Sequence, residues 1–289
     1  MSYINKIRVL LAAKKYLKNW FLVVISSFRG HPSDLIFRDG YILENVKDTF
    51  GVVHLKDKGY LFDPLSKDEI LVSKLDLSII CRVSKGHDFS HIYEIFESNT
   101  YDLDISNNIV IDVGASNADS SIYFARKGAK MVIGLEPSKE SFALGQKNIL
   151  SNNLTDRVIL LNSALSNQLG TSYMVISNQN PNGNSLSPTT SVKKLGIEFD
   201  SIEVVKTTSI EALLSDYHLD RIDLLKLDCE GCEYNVLESL SDITFAAISR
   251  IVLEYHDGLK FIPNLLFSKG FITEYEKKKS LGIVKGWKG

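Results

Sequence analysis

The sequence predicts an α/β fold for residues 101–289: a mostly parallel sheet with helices on both faces. Ahead of it, residues 1–100 read as a helix and a small antiparallel β lobe. Three observations predict this. From about residue 107, short apolar runs alternate with segments of helical period, which is the pattern of β-α-β units. Two of those runs, Ile109-Val-Ile-Asp-Val-Gly114 and Ile222-Asp-Leu-Leu-Lys-Leu-Asp228, end in carboxylates with a glycine close by. Strand ends in open α/β sheets are where ligands bind. Finally, 289 residues with 44% hydrophobic and 24% charged content suit one large domain, or a core domain with a smaller attachment, around a real core.

Composition also excludes some classes. A net charge of -2 gives no global field toward nucleic acid. The three cysteines, Cys81, Cys229 and Cys232, make no disulfide framework and point to a reducing, cytoplasmic setting. The longest apolar run near the N-terminus is Trp20–Ile25, far short of the roughly 20 residues a spanning helix needs. Lysines interrupt the segment before it, so it does not read as a secretory signal.

The elements follow in order. Residues 2 to about 28 predict a helix with Ile7, Leu10, Leu11, Leu17, Phe21 and Val24 on one stripe. Its cations, Lys6, Arg8, Lys14, Lys15 and Lys18, allow peripheral contact with an anionic membrane. A helix docked on its own domain with a solvated basic face is the simpler reading. Residues 34–84 carry two hairpin signals, Leu35–Leu43 around Asp39-Gly40 and Gly51–Phe62, in a lobe that would cover or orient something. Then come the strand Ile109–Ile111, the helix Ser120–Lys127 stopped by Gly128, and the strand Met131–Leu135 ending at Glu136-Pro137. A helix through Phe142, Gln146, Ile149 and Leu150 precedes the strand Arg157–Leu161. Thr171–Ile176 and Ile202–Lys206 read as paired strands split by the polar segment 178–190, either a lid or a surface excursion. Thr208-Ser-Ile-Glu211 is a capping box. The strand Ile222–Leu227, a helix near Tyr234–Leu240 and the strand Ile248–Leu253 complete the alternation.

The chemistry sits at the strand ends. Gly114 allows a sharp turn and close approach of a ligand. The three-glycine dinucleotide fingerprint is missing, because Asn117, Ala118 and Asp119 follow. Glu136 lies 24 residues after Asp112, at the second strand end, where an acid accepts hydrogen bonds from both ribose hydroxyls. Ribose recognition without phosphate recognition suits S-adenosylmethionine. The densest cluster is Asp228-Cys-Glu-Gly-Cys-Glu233.

On the segments Ile111-Asp-Val-Gly-Ala115, Ile133-Gly-Leu-Glu-Pro137 with Phe142 and Asn148, Ile222–Glu233 and Ile251-Val-Leu-Glu-Tyr-His256, the chain resembles the FkbM-type family of S-adenosylmethionine-dependent methyltransferases. The Lys-Leu-Asp-x-Glu-Gly-x-Glu piece is the specific one. The resemblance implies a seven-stranded, Rossmann-like class I methyltransferase sheet with its last strand antiparallel, and residues 270–289 would supply the final hairpin. It implies S-adenosyl-L-methionine as cofactor, with Asp112, Gly114, Ala115, Glu136, Pro137, Ser163 and Ala164 around it. The family usually has asparagine, an apolar residue and glycine where this chain has Ser116, Asn117 and Ala118, so the loop is less free to bend here.

The activity implied is methylation of a hydroxyl on a sugar or sugar-containing small molecule. Such a hydroxyl needs a base. Asp228 is the first candidate and His256 the second, with Lys226 placed to pair with Asp228 or Glu254 or to steer an anionic substrate. Glu233, and in part Glu230, would instead fix the loop at a helix N-terminus. Alternatives stay open: a nicotinamide-dependent Rossmann oxidoreductase, a non-catalytic binding module that kept the fold, a redox or zinc role for Cys229-Glu-Gly-Cys232, and a divalent metal on Asp228, Glu230, Glu254 and His256. A small-molecule or glycan substrate is expected, and no nucleic acid.

Overall fold

Two units divide the chain at Thr100 and Tyr101. The structure, a computed structural model, describes residues 3–98, 100, 101, 103–186, 198–276 and 278–289.

The first unit opens with α1 (Tyr3–Tyr16) and α2 (Trp20–Phe28). The single helix read from the sequence is thus broken at residues 17–19. There Leu17 bridges to Phe37, and the Asn19 side chain bonds the Asp34 carbonyl and the Ile36 N–H. The inward stripe also differs from the one expected. Val9, Ala12, Ala13 and Leu17 are buried on α1, and Val23 and Val24 on α2, while Leu11 and Phe21 are exposed. Strands β1 (Ser33–Ile36) and β2 (Ile42–Val46) pair antiparallel around the Asp39-Gly40 turn.

The second hairpin read from the sequence is instead α3 (Thr49–Asp57) followed by β3 (Leu61–Pro64). The cause is Asp48, whose carboxylate caps the helix by accepting the Gly51 N–H at 3.1 Å and also takes the Ser90 N–H at 2.6 Å. Val52, Val53 and Leu55 bury the helix's inner face. β3, β4 (Glu69–Lys74) and β5 (Leu77–Arg82) form an antiparallel sheet. α4 (Asp88–Ile92) runs on into a π-helical turn at Tyr93–Glu97. Arg82 and Asp88 make a buried, two-pronged ion pair, with Nη2 2.7 Å from Oδ1 and Nε 3.0 Å from Oδ2.

The second unit alternates strand and helix: β6 (Ile109–Val113), α5 (Asp119–Arg126), β7 (Met131–Leu135), α6 (Lys139–Ser151) and β8 (Val158–Leu161). An arm follows, made of β9 (Ala164–Leu165), β10 (Gly170–Ile176) and β11 (Ser201–Thr208), and then α7 (Ile210–Asp216). The alternation resumes with β12 (Leu224–Leu227), α8 (Glu233–Ser239), α9 (Asp242–Ala247), β13 (Arg250–Tyr255) and α10 (Ile262–Ser268). It closes with β14 (Ile272–Tyr275) and β15 (Gly282–Trp287).

The main sheet has seven strands in the order β14-β15-β13-β12-β6-β7-β8. β15 is antiparallel to both its neighbours; the other pairings are parallel. This is the seven-stranded sheet with an antiparallel last strand that the resemblance implies. Its core holds Ile111, Leu225, Leu227, Phe245, Ile251 and Tyr255, all nearly inaccessible to solvent. β6 and β12 lie side by side although far apart in sequence, so the connections leave them in opposite directions. That reversal opens a crevice at their carboxyl ends. Among the described residues no helix is long and apolar enough to cross a membrane.

Candidate active site

The crevice is built from four strand ends. After β6 the backbone turns through three left-handed residues, Gly114 (φ 76°), Ser116 (φ 48°) and Ala118 (φ 66°). Ala118 takes the conformation that a glycine would take more easily, so the loop carries strain at that position. Gly114 has no substitute: a Cβ there would fall 1.7 Å from the Asp228 carbonyl oxygen. The close approach of the β6 and β12 loops depends on it. The Gly114 and Ala115 N–H groups donate to the Leu135 carbonyl, and the Ser116 N–H donates to Glu136 Oε2 at 2.8 Å. Glu136, at the end of β7, accepts the Ser138 N–H on its other oxygen at 2.8 Å. Asn162 donates to the Glu136 and Pro137 carbonyls.

Asp112 is fully buried and turned away from the crevice. Its Oδ2 accepts from the hydroxyls of Ser120 and Ser121 at 2.7 and 2.6 Å, and its Oδ1 lies 3.0 Å from Lys226 Nζ. Lys226 also donates to the Gly114 carbonyl at 2.9 Å, and is buried too. Burial works against its charge, but Asp112, Tyr101 and Asp228 outweigh that and raise its pKa. Lys226 is therefore a brace between two strand ends, and the steering of an anionic substrate read from the sequence is corrected: its ammonium faces inward. Ala115 is buried in the loop, and Ala164 is buried in β9, paired with Thr207. Ser163, half-buried, donates its N–H to the Leu161 carbonyl.

The carboxylate cluster closes the crevice on the other side. Asp228 and Glu230 are half-buried, and Glu230 (φ 55°) and Gly231 (φ 112°) turn the chain left-handed into α8. Glu233 is fully buried at the start of that helix. Its Oε1 accepts the Cys229 N–H at 3.4 Å and sits 2.6 Å from His256 Nδ1, which is the loop-fixing role read for it. The other ring nitrogen, Nε2, lies 3.7 Å from Asp228 and 3.6 Å from Glu230. Burial opposes charging the His256 ring, but the Glu233 hydrogen bond and the charges of Glu230, Glu233 and Asp228 prevail and push its pKa up to about 10. These contacts favour the protonated ring, which weighs against His256 and for Asp228 as the base.

Asp228, Glu254 and His256 each offer a ligand atom, all within 4.8 Å of one another. These are the donors a divalent metal would use, with the His256 ring in its neutral form. Cys229 and Cys232 are joined as a disulfide, their Cα atoms 5.4 Å apart. One short-range pair is still no disulfide framework, but with it the cysteines no longer argue for a reducing compartment. Cys81 is buried and takes no part in a disulfide.

One contributor escapes sequence reasoning. Tyr101 is buried close enough to the cluster to feel it electrostatically. Burial raises its pKa; Asp228 and Glu254 push the same way and Lys226 opposes. No motif marks it. The segment between β10 and β11, read as a lid or a surface excursion, also reaches the site. Its described residues are 177–186 and 198–200, and they include a short 3-10 turn at Pro181–Gly183. Asn182 donates to the Ser116 hydroxyl at 3.3 Å, and Ser185 donates to the Glu230 carbonyl at 2.6 Å. This strap ties the β6 loop to the β12 loop; residues 187–190 of the polar segment lie outside the described residues. A separate cleft of about 540 Å³ between the arm and α8 is lined by Ser166, Gln168, Ser172, Cys232, Asn235 and Glu238. Its lining includes neither Gly114, Glu136 nor Asp228.

A methyltransferase FkbM domain matches residues 112–275, more than half of the chain. The methyltransferase sdnD of Sordaria araneosa is 27% identical over 206 residues, covering 62% of this chain and 80% of that protein. Methyltransferase 1 of Beauveria bassiana (strain ARSEF 2860) is 24% identical over 201 residues, covering 64% and 81%. Among solved structures, the magnesium protoporphyrin IX methyltransferase (ChlM) of Synechocystis PCC 6803 with bound SAM is similar at 13% identity and a TM-score of 0.40, covering 69% of this chain and 79% of that one. The matched domain begins at Asp112, where the first strand end turns, and runs through β14, so the crevice just described falls inside it: the chain belongs to the FkbM family of S-adenosylmethionine-dependent methyltransferases.

Proposed function

We propose that this methyltransferase methylates a hydroxyl of a sugar or sugar-containing small molecule, with Asp228 as the general base. The observation that carries the reading is the convergence of Asp228, Glu230 and Glu254 around one buried imidazolium at the ends of β12 and β13. Ionised carboxylates accept hydrogen bonds and donate none, so the rim suits an acceptor rich in hydroxyl donors. The same charges repel phosphate or carboxylate acceptors.

The crevice fits the donor. Asn117 in the β6 loop is fully buried, and neither atom of its side-chain amide has a partner among the described residues. A buried amide in that state is completed by water or by a polar group of a ligand, and its place in the β6 loop favours the ligand. Each Glu136 oxygen accepts a backbone N–H, which fixes the carboxylate at the end of β7, where an acid meets a ribose diol. Pro137 and Ser163, half-buried at the same edge, border it. Asp112, Ala115 and Ala164 shape the site from within. When bound, S-adenosylmethionine supplies an electrophilic methyl carbon on a sulfonium sulfur.

The protein's own part is alignment and proton removal. Asp228 takes the acceptor's proton as the new oxygen–carbon bond forms. His256, held by Glu233, keeps the Asp228 and Glu230 carboxylates in place. Lys226 and Gly114 set the distance between the two loops. The test is turnover of S-adenosylmethionine against a panel of glycans and lipid-linked sugars, with the methyl located in the product by NMR. A methyl ether on a neutral sugar supports the reading; a methylated amine or carboxylate overturns it.

A further inference from the structure

We propose that the outward face of α1 and α2 is a docking surface for an anionic lipid bilayer. Residues 1–33 hold six cations, Lys6, Arg8, Lys14, Lys15, Lys18 and Arg29, and no carboxylate. The whole chain has 33 basic and 35 acidic residues, so the remainder carries a net charge of -8. The asymmetry is therefore local to this helix pair.

The geometry sorts the two helices into inner and outer faces. Val9, Ala12, Ala13 and Leu17 turn α1 inward, which leaves Leu11, Lys14, Lys15 and Lys18 exposed within one arc. Val23 and Val24 turn α2 inward, leaving Phe21, Leu22, Phe28 and Arg29 on the outer side. Leu11, Phe21, Leu22 and Phe28 are 64%, 60%, 66% and 62% exposed. The inner stripe already anchors both helices on their own unit, so this second apolar face is surplus to folding. Among the described cations of this face, the salt bridge is that of Lys15, partly neutralised by Asp57 at 3.3 Å.

Exposed aromatic and leucine side chains beside lysines are the pattern of a helix lying in the headgroup region, apolar side chains among the acyl chains and ammonium groups on the phosphates. Each basic side chain near an anionic surface adds to the attraction. Charge decides against a second copy of the chain as the occupant, because pairing this face with itself would bring the two cationic sets together. The large apolar side chains distinguish it from a nucleic-acid surface, which is carried by cations and stacking rather than by leucine.

The experiment uses the full chain and vesicles of phosphatidylcholine alone or mixed equally with phosphatidylglycerol. Co-sedimentation with the anionic vesicles should exceed that with the neutral ones by at least about tenfold and weaken with salt. Phe21→Ser with Leu22→Ser, and separately Lys14→Gln with Lys18→Gln, should each lower binding by about tenfold with an unchanged circular dichroism spectrum. The lysine pair carries the test if the serine pair folds poorly. Partition that ignores lipid charge, a dimer abolished by the same substitutions, or an oligonucleotide bound as tightly as the vesicles would each overturn the proposal.

Discussion

Asp112 and Lys226 illustrate how a residue can be essential to a site without facing it. Each is buried, and each depends on the other for its charge. Replacing Lys226 by Met leaves the Asp112 carboxylate buried beside two serine hydroxyls with no cation. Removing one partner of a buried pair costs about 3–5 kcal/mol, and the Lys226→Met midpoint in urea should fall accordingly. A loss under about 1 kcal/mol would mean that water reaches the pair. Asp228 behaves in the opposite way. It is half-buried, and its neighbours His256 and Lys226 approach no closer than 3.7 Å. Asp228→Asn keeps the shape and removes the proton acceptor, so methyl transfer should drop by at least about 100-fold. Binding of S-adenosylmethionine, followed by calorimetry, should be nearly unchanged. Equal losses in both would make Asp228 a binding residue rather than the base.

At the scale of elements, the loop from Asp228 to Glu233 is held from three sides: by the Cys229–Cys232 bond, by Glu233 at the head of α8, and by Ser185 of the strap. Closing so short a loop covalently removes about 2 kcal/mol of unfolded-state entropy. The double substitution Cys229→Ser, Cys232→Ser should lower stability by that order. A dithiol reductant should produce the same loss in the unsubstituted protein and none in the variant; a reductant effect that persists in the variant would place its origin elsewhere. This loop was the most legible part of the sequence, because a buried apolar strand that ends in carboxylates and a glycine has few purely structural explanations. Five of the seven strands, β6, β7, β8, β12 and β13, were legible too as apolar runs between helical periods, while the final hairpin was implied by the family resemblance. What stayed hidden depends on contacts distant in sequence. Asp48 turns the first half of the expected hairpin into the helix Thr49–Asp57, and is itself held by a bond to Ser90, 42 residues away. Leu17 and Asn19 break the N-terminal helix through partners in β1 and just after it. Tyr101 reaches the site by packing rather than by motif. No local pattern encodes such pairings, and tertiary context overrides the local period.

At the scale of the molecule, the two units carry buried ionic centres that respond to opposite ends of the pH range. In the first unit burial raises the Asp88 pKa, but the charge and hydrogen bonds of Arg82 outweigh it and leave it lowered. A depressed carboxyl stabilises the fold above its unfolded value of about 4 and loses that contribution as pH falls through the folded value. In the second unit the His256 pKa is raised to about 10. A raised imidazole stabilises fully below its unfolded value of about 6.5 and loses that contribution as pH climbs toward 10, with a slope of at most about 1.4 kcal/mol per pH unit. Acid should therefore loosen β5 and α4 first, and alkali should loosen β12, α8 and β13 first. Hydrogen exchange resolved by peptide, corrected for the intrinsic rates, measures both. Between pH 7 and 9.5 the protection of residues 224–256 should decline while that of residues 77–92 holds, and His256→Gln should flatten the decline. If protection in both segments fell together in alkali, the imidazolium would not be the group that responds, and the charge held among Asp228, Glu230 and Glu233 would have to be compensated in another way.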